Sequence, residues 1–294
     1  MARLDVIETF HGILFPGHLH TQDSLQLALK FEFQDTDILI VSYPKSGTTW
    51  MQEIVTLITN RGDPHVSQTV PNWARAPWLE QHYCAAVLEA SSIKPRVITT
   101  HLPYHLLGPA LQDSKAKIIY VSRNPKDVVV SFYHFHKMAN FLPDPGSFPE
   151  FLHQFLEGTL HFGSWFDHVK GWTTATMNNL LHITYEEMSM DLHGAIKRIS
   201  SFLQCPLEEG KVNDCVKHGS FNSMKDNKMV NYTLIAEEIM DHSKGSFMRQ
   251  GTVGDWKNMF TEEQDQYLES VFKSKMQDCT LEFVWEKQDR GDRC

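Results

Sequence analysis

Short apolar runs alternate along this chain with longer segments that have helical spacing. Each of four runs is five or six residues long and rich in Ile or Val, which favours a strand buried on both faces. The runs are Ile38–Ser42, 96–100, Lys117–Ser122 and Leu180–Thr184. Helical spacing is found at 49–60, Pro125–Met138, Phe148–Glu157 and 192–203.

This alternation predicts an α/β fold: one domain, residues 1–294, with a central parallel sheet flanked by helices on both faces. Ligands of such folds bind at the carboxyl ends of the strands. The last third is less regular. Helices are expected at 208–218 and 261–276, whereas 221–256 is polar, dotted with glycine and mostly irregular.

The turn after the first run, YPKSGTTW at 43–50, joins a strand to a helix and is rich in hydroxyl groups. The first amides of a helix lack internal partners and lie at the positive end of its dipole, so they can cradle an anion. Gly47 lets the backbone approach closely, and Lys45 adds positive charge. Ser46, Thr48 and Thr49 add hydroxyl donors. A P-loop-like phosphate site is predicted, and a plain capped turn is the alternative.

The turn departs from the loop of nucleotide triphosphatases, which reads G-x-x-x-x-G-K-[ST]. Its lysine precedes the glycine, the first glycine is missing and Trp50 follows directly. Trp50 can stack on a purine, or it can simply be a core aromatic residue.

Two further segments carry polar groups next to a turn. In KIIYVSRNPKDVVVSFYHF at 117–135, Asn124 can cap the helix that Pro125 begins, and Arg123 lies at the mouth of the turn. Alone, this segment could equally be a capped helix with a surface arginine. The second segment is FMRQGTVGDWKNMF at 247–260.

Together these segments resemble, in the right order and over nearly the whole chain, the cytosolic sulfotransferases, which use 3′-phosphoadenylyl sulfate (PAPS). Several phrases resemble the hydroxysteroid branch more than the phenol branch. The resemblance implies that PAPS is bound by Lys45, Ser46, Gly47, Thr48, Thr49, Trp50, Arg123, Ser131, Tyr185, Phe221, Phe247, Met248, Arg249, Gln250 and Gly251.

Two positions depart from the family pattern. Gln250 replaces a lysine, so one positive charge near the 3′-phosphate is missing, although an amide can still donate a hydrogen bond. Gly219 stands where threonine is frequent, which puts one hydrogen bond to the adenine in doubt. We expect weaker cofactor binding than a lysine at position 250 would give.

His101 follows the second strand and therefore lies at the carboxyl edge, near the predicted cradle. Histidine titrates near neutral pH and suits a general base, and the family's catalytic base matches this residue. The resemblance implies in-line sulfuryl transfer, in which His101 takes the proton of the acceptor hydroxyl and Lys45 stabilises charge on the leaving phosphate.

The segment VPNWARAPWLEQHY at 70–83 is aromatic and irregular, which suits an apolar pocket or plain core packing. Trp73, Trp78 and Phe135 are the candidate acceptor residues. The resemblance implies a small apolar acceptor with a hydroxyl group, such as a hydroxysteroid or another bulky alcohol; a phenol remains an alternative.

The family's dimer motif, K-x-x-x-T-V-x-x-x-E, reads KNMFTEEQDQ at 257–266 here. Lys257 and Thr261 match, but valine has become Glu262 and the final glutamate Gln266. A charge at an apolar contact disfavours that interface, so a monomer or weak dimer is expected.

The net charge, 27 − 36 = −9, disfavours nonspecific nucleic-acid binding. Neither a signal peptide nor a membrane-spanning run is evident, and the five cysteines, which include Cys294, form no C-x-x-C pair. We therefore expect a cytoplasmic protein that does not bind membranes. The pairs His18/His20 and His134/His136 lack a third ligand, so no metal is expected.

Two other functions stay open: a PAPS-binding relative without catalysis, suggested by Gln250 and Gly219, and a small-molecule kinase that uses ATP. The missing G-K-[ST] step and the lack of an obvious magnesium carboxylate disfavour the kinase.

Overall fold

The computed structural model describes residues 4–286, so Cys294 and the two ends of the predicted domain lie outside the described residues. The strands are β1 (Ile7–Phe10), β2 (Ile13–Pro16), β3 (Ile38–Ser42), β4 (Val97–Thr100), β5 (Lys117–Ser122) and β6 (Leu180–Thr184). The α-helices are α1 (Gln22–Leu29), α2 (Thr48–Thr59), α3 (His65–Thr69), α4 (Asn72–Arg75), α5 (Cys84–Ala90), α6 (Tyr104–Leu111), α7 (Pro125–Met138), α8 (Phe148–Glu157), α9 (Trp165–Thr173), α10 (Tyr185–Met190), α11 (Leu192–Phe202), α12 (Glu209–His218), α13 (Phe221–Asp226) and α14 (Glu262–Lys275). Short 3-10 turns are formed by His242–Lys244 and Asp255–Asn258.

Strands β3 to β6 form one parallel sheet in the order β4-β3-β5-β6. Alternate residues of β3 point to opposite layers: Leu39 packs with helices α1 and α6 to α9, and Ile40 packs with α2, α11 and α12. Both side chains are fully buried. The predicted parallel sheet with helices on both faces is therefore confirmed, and the apolar runs are continuous because each strand is covered twice.

The predicted strand and helix bounds agree closely with the structure. Strands β3, β5 and β6 and helices α7 and α8 have the predicted ends. Strand β4 begins at Val97 rather than at Arg96. The guanidinium of Arg96 pairs with the buried carboxylate of Asp37, and its Nε lies 2.8 Å from Oδ1 of Asp37. Helix α2 begins one residue early, at Thr48, because Gly47 ends the turn in the left-handed region with φ 103°.

The sequence pattern missed the shorter elements. Strands β1 and β2 form an antiparallel hairpin that pairs Ile7 with Pro16, and helices such as α5 and α6 span only seven or eight residues. Such segments are too short for the helical period to stand out from chance. Within residues 4–286, no helix is both long and apolar enough to cross a bilayer.

Candidate active site

Each parallel strand is followed at its carboxyl end by a residue of the predicted site. The P-loop-like turn follows β3, His101 follows β4, Arg123 follows β5 and Tyr185 follows β6. All of them line one cavity of about 360 Å³. Because these strands are neighbours in the sheet, residues distant in sequence meet along one edge.

The P-loop-like turn packs tightly between β3 and α2. Lys45 and Gly47 both have positive φ, 68° and 103°. The Ser42 and Thr48 hydroxyls are 2.6 Å apart and join the strand end to the first turn of the helix. A Cβ at position 47 would lie 2.9 Å from the Tyr185 ring, so only glycine fits both the backbone angle and the space.

Two buried polar atoms, one in this turn and one beside it, lack protein partners. Among the described residues, neither the hydroxyl of Ser46 nor Nε of Arg123 has a hydrogen-bond partner, although both atoms are buried. An unpaired buried donor is costly, so these atoms fit a bound anion that would satisfy them. Helix α2 starts in the same turn and has no side-chain cap on its first amides, so the turn has donors of the kind that a phosphate requires.

Arg123 is held above the turn by three groups. Its guanidinium lies 4.0 Å from the centre of the Tyr185 ring and donates to the carbonyls of Lys45, at 3.3 Å, and Thr252, at 3.1 Å. Ser131 lies on helix α7, which begins just after Arg123, and it lines the same cavity. The guanidinium is thus fixed at the wall rather than free in solvent, as a specific anion site needs.

The buried carboxylate of Asp127 organises residues 247–260, which we call the late loop. It accepts the amides of Gly254, at 2.9 Å, and Trp256, at 3.0 Å. On that loop, Arg249 forms an ion pair with Asp255, and both line the cavity. Helix α7 therefore sets the position of Arg249, which the sequence analysis assigned to the cofactor.

A narrow aromatic corner lies beside the turn. A Cβ on Gly251, whose φ is 67°, would come within 2.2 Å of the Phe221 ring. The Trp50 indole donates to the Gly219 carbonyl at 2.8 Å and meets Tyr185 edge to face at 5.1 Å. Trp50, Tyr185 and Phe221 all line the cavity, and Gly219 contributes its carbonyl to the position of Trp50.

His101 is fixed by hydrogen bonds on both ring nitrogens. Its Nδ1 lies 2.7 Å from the Ser42 carbonyl, which can only accept, so Nδ1 carries the proton and Nε2 the lone pair. The indole Nε1 of Trp78 lies 3.1 Å from Nε2. Burial lowers the pKa of the imidazole to about 4; its bond to Ser42 opposes this effect and the nearby charge of Lys45 adds to it. The imidazole of His101 is therefore neutral at pH 7.

The ammonium of Lys45 lies between two aromatic rings, 4.2 Å from the centre of Phe135 and 4.3 Å from that of Phe247. Its removal from water, together with the charges of Arg123 and Arg249, lowers its pKa to about 7. The rings compensate part of this cost through cation–π attraction. Phe247, which the sequence analysis placed with the cofactor residues, lies here against Phe135 and Tyr232, on the apolar side of the cavity.

The predicted acceptor residues Trp73, Trp78 and Phe135 all line the cavity. Trp73 packs 5.5 Å from Tyr232, and Trp78 is held beside Thr99 as an extension of the sheet edge. Apolar side chains dominate this side of the cavity: Leu19, Phe141, Leu142, Phe162, Ile235, Ile239 and Met240.

Sequence reasoning missed several residues that shape the site. Glu80 is fully buried, and its carboxylate accepts the backbone amide of His101 at 2.8 Å; burial raises its pKa to about 7. Phe162 meets His101 edge to face at 5.4 Å. Tyr232 reaches the cavity from the segment predicted to be irregular, and its hydroxyl accepts a hydrogen bond from the side-chain amide of Asn72 at 3.0 Å. No local pattern marks any of these three, since each depends on a long-range contact.

Metal ligands are not gathered at the site: within the described range, no three His, Cys, Asp or Glu residues are close enough to hold an ion. Asp255 is the acidic residue among those described that lines the cavity, and Arg249 neutralises it.

Comparisons with known proteins agree with this geometry. Residues 35–280 match the sulfotransferase domain family. Sulfotransferase 2B1 of Homo sapiens is 43% identical over 289 residues, which cover 96% of this chain and 78% of that protein. The crystal structure of mouse sulfotransferase SULT7A1 complexed with PAP has a TM-score of 0.77 at 32% identity and covers 93% of this chain and 95% of that one.

Retinol dehydratase in complex with androsterone and the inactive cofactor PAP has a TM-score of 0.80 at 26% identity, and the match covers 92% of this chain and 89% of that one. The family match spans most of the chain, and the similarity extends from sequence to fold. The chain therefore belongs to the sulfotransferase family.

Proposed function

We propose that this protein transfers the sulfuryl group of PAPS to the hydroxyl of a bulky apolar alcohol, with His101 as general base. The observation that carries the proposal is that a neutral imidazole and a lysine ammonium line one cavity, beside the unpaired buried donors of Ser46 and Arg123. The family and the PAP complexes of similar proteins support the same reaction.

The residues present fit the phosphates of the nucleotide. The amides that follow Lys45, with the hydroxyls of Ser46 and Thr49, would hold the 5′-phosphate at the helix start. Arg123 and Arg249 would hold the 3′-phosphate, with Ser131 and the Gly251 amide beside them. When bound, PAPS supplies a sulfuryl group on a phosphate leaving group.

The purine fits the aromatic corner formed by Trp50, Tyr185 and Phe221. Stacking on such rings is favourable for any base, and the fixed indole of Trp50 keeps the wall in place before binding. Met248 and Gln250 line the same end of the cavity and would close it.

The proton moves from the acceptor hydroxyl to Nε2 of His101. Because Nδ1 donates to the Ser42 carbonyl, the ring cannot turn, and the imidazolium that forms keeps that hydrogen bond. Lys45 supplies positive charge where the leaving phosphate develops negative charge. Transfer thus depends on positioning and electrostatic stabilisation by the chain's own groups.

The acceptor side favours an uncharged, bulky molecule. Trp73, Trp78 and Phe135 present aromatic faces, and the facing segment adds Ile235 and Ile239. An apolar pocket with one base selects for a hydroxyl on an apolar frame. The androsterone bound to retinol dehydratase supports a hydroxysteroid as the acceptor class.

The test is transfer of radiolabelled sulfate from PAPS to a mixed panel of hydroxysteroids, phenols and amines. His101→Ala is expected to abolish turnover and to leave PAP affinity largely unchanged in calorimetry. Retained turnover in that variant rejects His101 as the base, and a strong preference for simple phenols rejects the acceptor class.

The same assay separates the two alternatives. A kinase would require ATP and magnesium, whereas the acidic residue that lines the cavity, among those described, is engaged by Arg249. A relative without catalysis would bind PAP and transfer nothing to any member of the panel.

The monomer or weak dimer and the cytoplasmic location stay predictions. In the altered dimer motif, Thr261 caps helix α14 and Gln266 donates to Glu262 at 3.3 Å, while Lys257 pairs with Glu286. These side chains already bond to groups of their own chain, which supports a weak interface between two copies through this motif. Sedimentation that finds a tight dimer through this segment would contradict the prediction.

A further inference from the structure

The lone pair that the base needs is already occupied in this structure. The Trp78 indole lies with Nε1 3.1 Å from Nε2 of His101, and an indole N–H can only donate. Since Nδ1 of the same ring carries the proton that faces the Ser42 carbonyl, Nε2 has a single in-plane lone pair. The indole N–H therefore sits on the atom that must accept the proton of the substrate.

An acceptor hydroxyl and the indole cannot both use that lone pair. A general base must lie within hydrogen-bond reach of the proton that it removes. Once Nε2 is protonated, it would present an N–H to the indole N–H, which is repulsive. The Trp78 side chain must therefore leave Nε2 in any productive complex.

The backbone of Trp78 is fixed to the sheet, whereas its indole forms part of the cavity wall. The backbone is tied to strand β4 on both sides, because the Thr99 amide donates to the Pro77 carbonyl at 2.8 Å and the Leu79 amide to the Thr99 carbonyl at 2.7 Å. The indole itself is one wall of the cavity and is 8% exposed. A bulky molecule entering the cavity meets this ring directly.

We propose that Trp78 is a positioning residue that covers the proton-accepting lone pair of His101 until an acceptor displaces the indole, an inference that rests on the function proposed above. Water that enters without an acceptor meets an engaged base. The hydrogen bond therefore suppresses wasteful hydrolysis of PAPS, in which water attacks sulfur, its proton passes to Nε2 and the bond to the 5′-phosphate breaks.

The first test removes the N–H and keeps the ring. Replacement of Trp78 by 3-benzothienylalanine substitutes sulfur for the N–H, and Trp78→Phe is a genetically simpler second variant. Trp73→Phe is the matched control, since it makes the same change in the same cavity at a residue that packs on Tyr232. The readout is the ¹⁵N resonance of His101 Nε2 in the free protein at pH 7, identified by its loss in His101→Gln.

Both Trp78 variants are expected to move this resonance downfield, toward that of an imidazole nitrogen that accepts no hydrogen bond. The Trp73→Phe control is expected to leave it in place. Release of inorganic sulfate from PAPS without acceptor is expected to rise about 2- to 10-fold in the Trp78 variants, from the loss of one hydrogen bond. A merely structural role for Trp78 moves neither measurement.

The outcomes separate this inference from the proposed function. An unmoved resonance, or unchanged hydrolysis, in variants that still sulfate alcohols overturns the role of Trp78 and leaves the proposed function standing. A wild-type protein that transfers sulfate to no alcohol contradicts the proposed function, whatever the resonance does.

Discussion

Changing the pH while measuring kcat/KM for PAPS tests the charge state of Lys45. Burial between Phe135 and Phe247 lowers the pKa of its ammonium from the ordinary 10.5 to about 7, and the charges of Arg123 and Arg249 add to this effect. With that pKa, the protonated fraction falls from about nine-tenths at pH 6 to about one-tenth at pH 8. Because the proposed reaction needs the charged form, kcat/KM for PAPS is expected to fall about tenfold over this interval.

The acid side of the profile depends on His101. Its pKa is lowered to about 4, so this imidazole is already unprotonated at pH 6 and does not contribute to the decrease between pH 6 and pH 8. The assay measures initial rates at low PAPS and saturating acceptor, because kcat/KM for PAPS reports the pKa values of groups in the enzyme form to which PAPS binds.

Lys45→Arg is the matched variant for this profile. A guanidinium stays protonated throughout the range, so its profile is expected to be flat between pH 6 and pH 8, at whatever rate the variant retains. A wild-type profile that is flat, or one that falls equally in Lys45→Arg, refutes the lowered pKa as the cause.

Three further predictions follow from other contacts. Burial lowers the pKa of His20 and His168 to about 3, so between pH 3 and the unfolded pKa near 6.5 the unfolded chain binds more protons than the folded one. The free energy of unfolding should therefore fall as the pH falls through that window. Equal urea midpoints at pH 7.5 and pH 5 would contradict this. Asp127→Asn replaces one of the two carboxylate oxygens that accept the late loop's amides, so the PAP dissociation constant measured by calorimetry should rise about 5- to 10-fold. An unchanged dissociation constant would show that the loop does not need this carboxylate. Gln250→Lys adds a charge beside the 3′-phosphate pocket and should tighten PAP binding severalfold; unchanged or weaker binding would refute the role given to that charge.

The sheet, and the meeting of the P-loop-like turn with His101 at one edge of it, could be predicted because each depends on local sequence. A strand covered on both faces has to be apolar throughout, so Ile38–Ser42 and Lys117–Ser122 were recognisable without their partners. Parallel strands bring their carboxyl ends together, which placed His101 beside the P-loop-like turn before any contact was known.

The acceptor side could not be predicted in the same way. Residues 227–250 have little regular structure and are held by scattered bonds, such as the Asn140 side-chain amide on the carbonyls of Glu237 and Glu238. No periodic pattern encodes contacts of this kind, so neither the place of Tyr232 in the cavity nor the contact of Phe247 with Lys45 could be predicted.

The two halves of the site meet at the Lys45 ammonium. Its backbone belongs to the phosphate turn, yet its charge lies between Phe135 and Phe247, which are walls of the acceptor side. A cation held by rings and short of water is less stable than one paired with an anion, so a bound phosphate competes with the rings for it. The position of the Lys45 ammonium therefore depends on what is bound in both halves of the cavity, although residues from separate segments of the sequence form these halves.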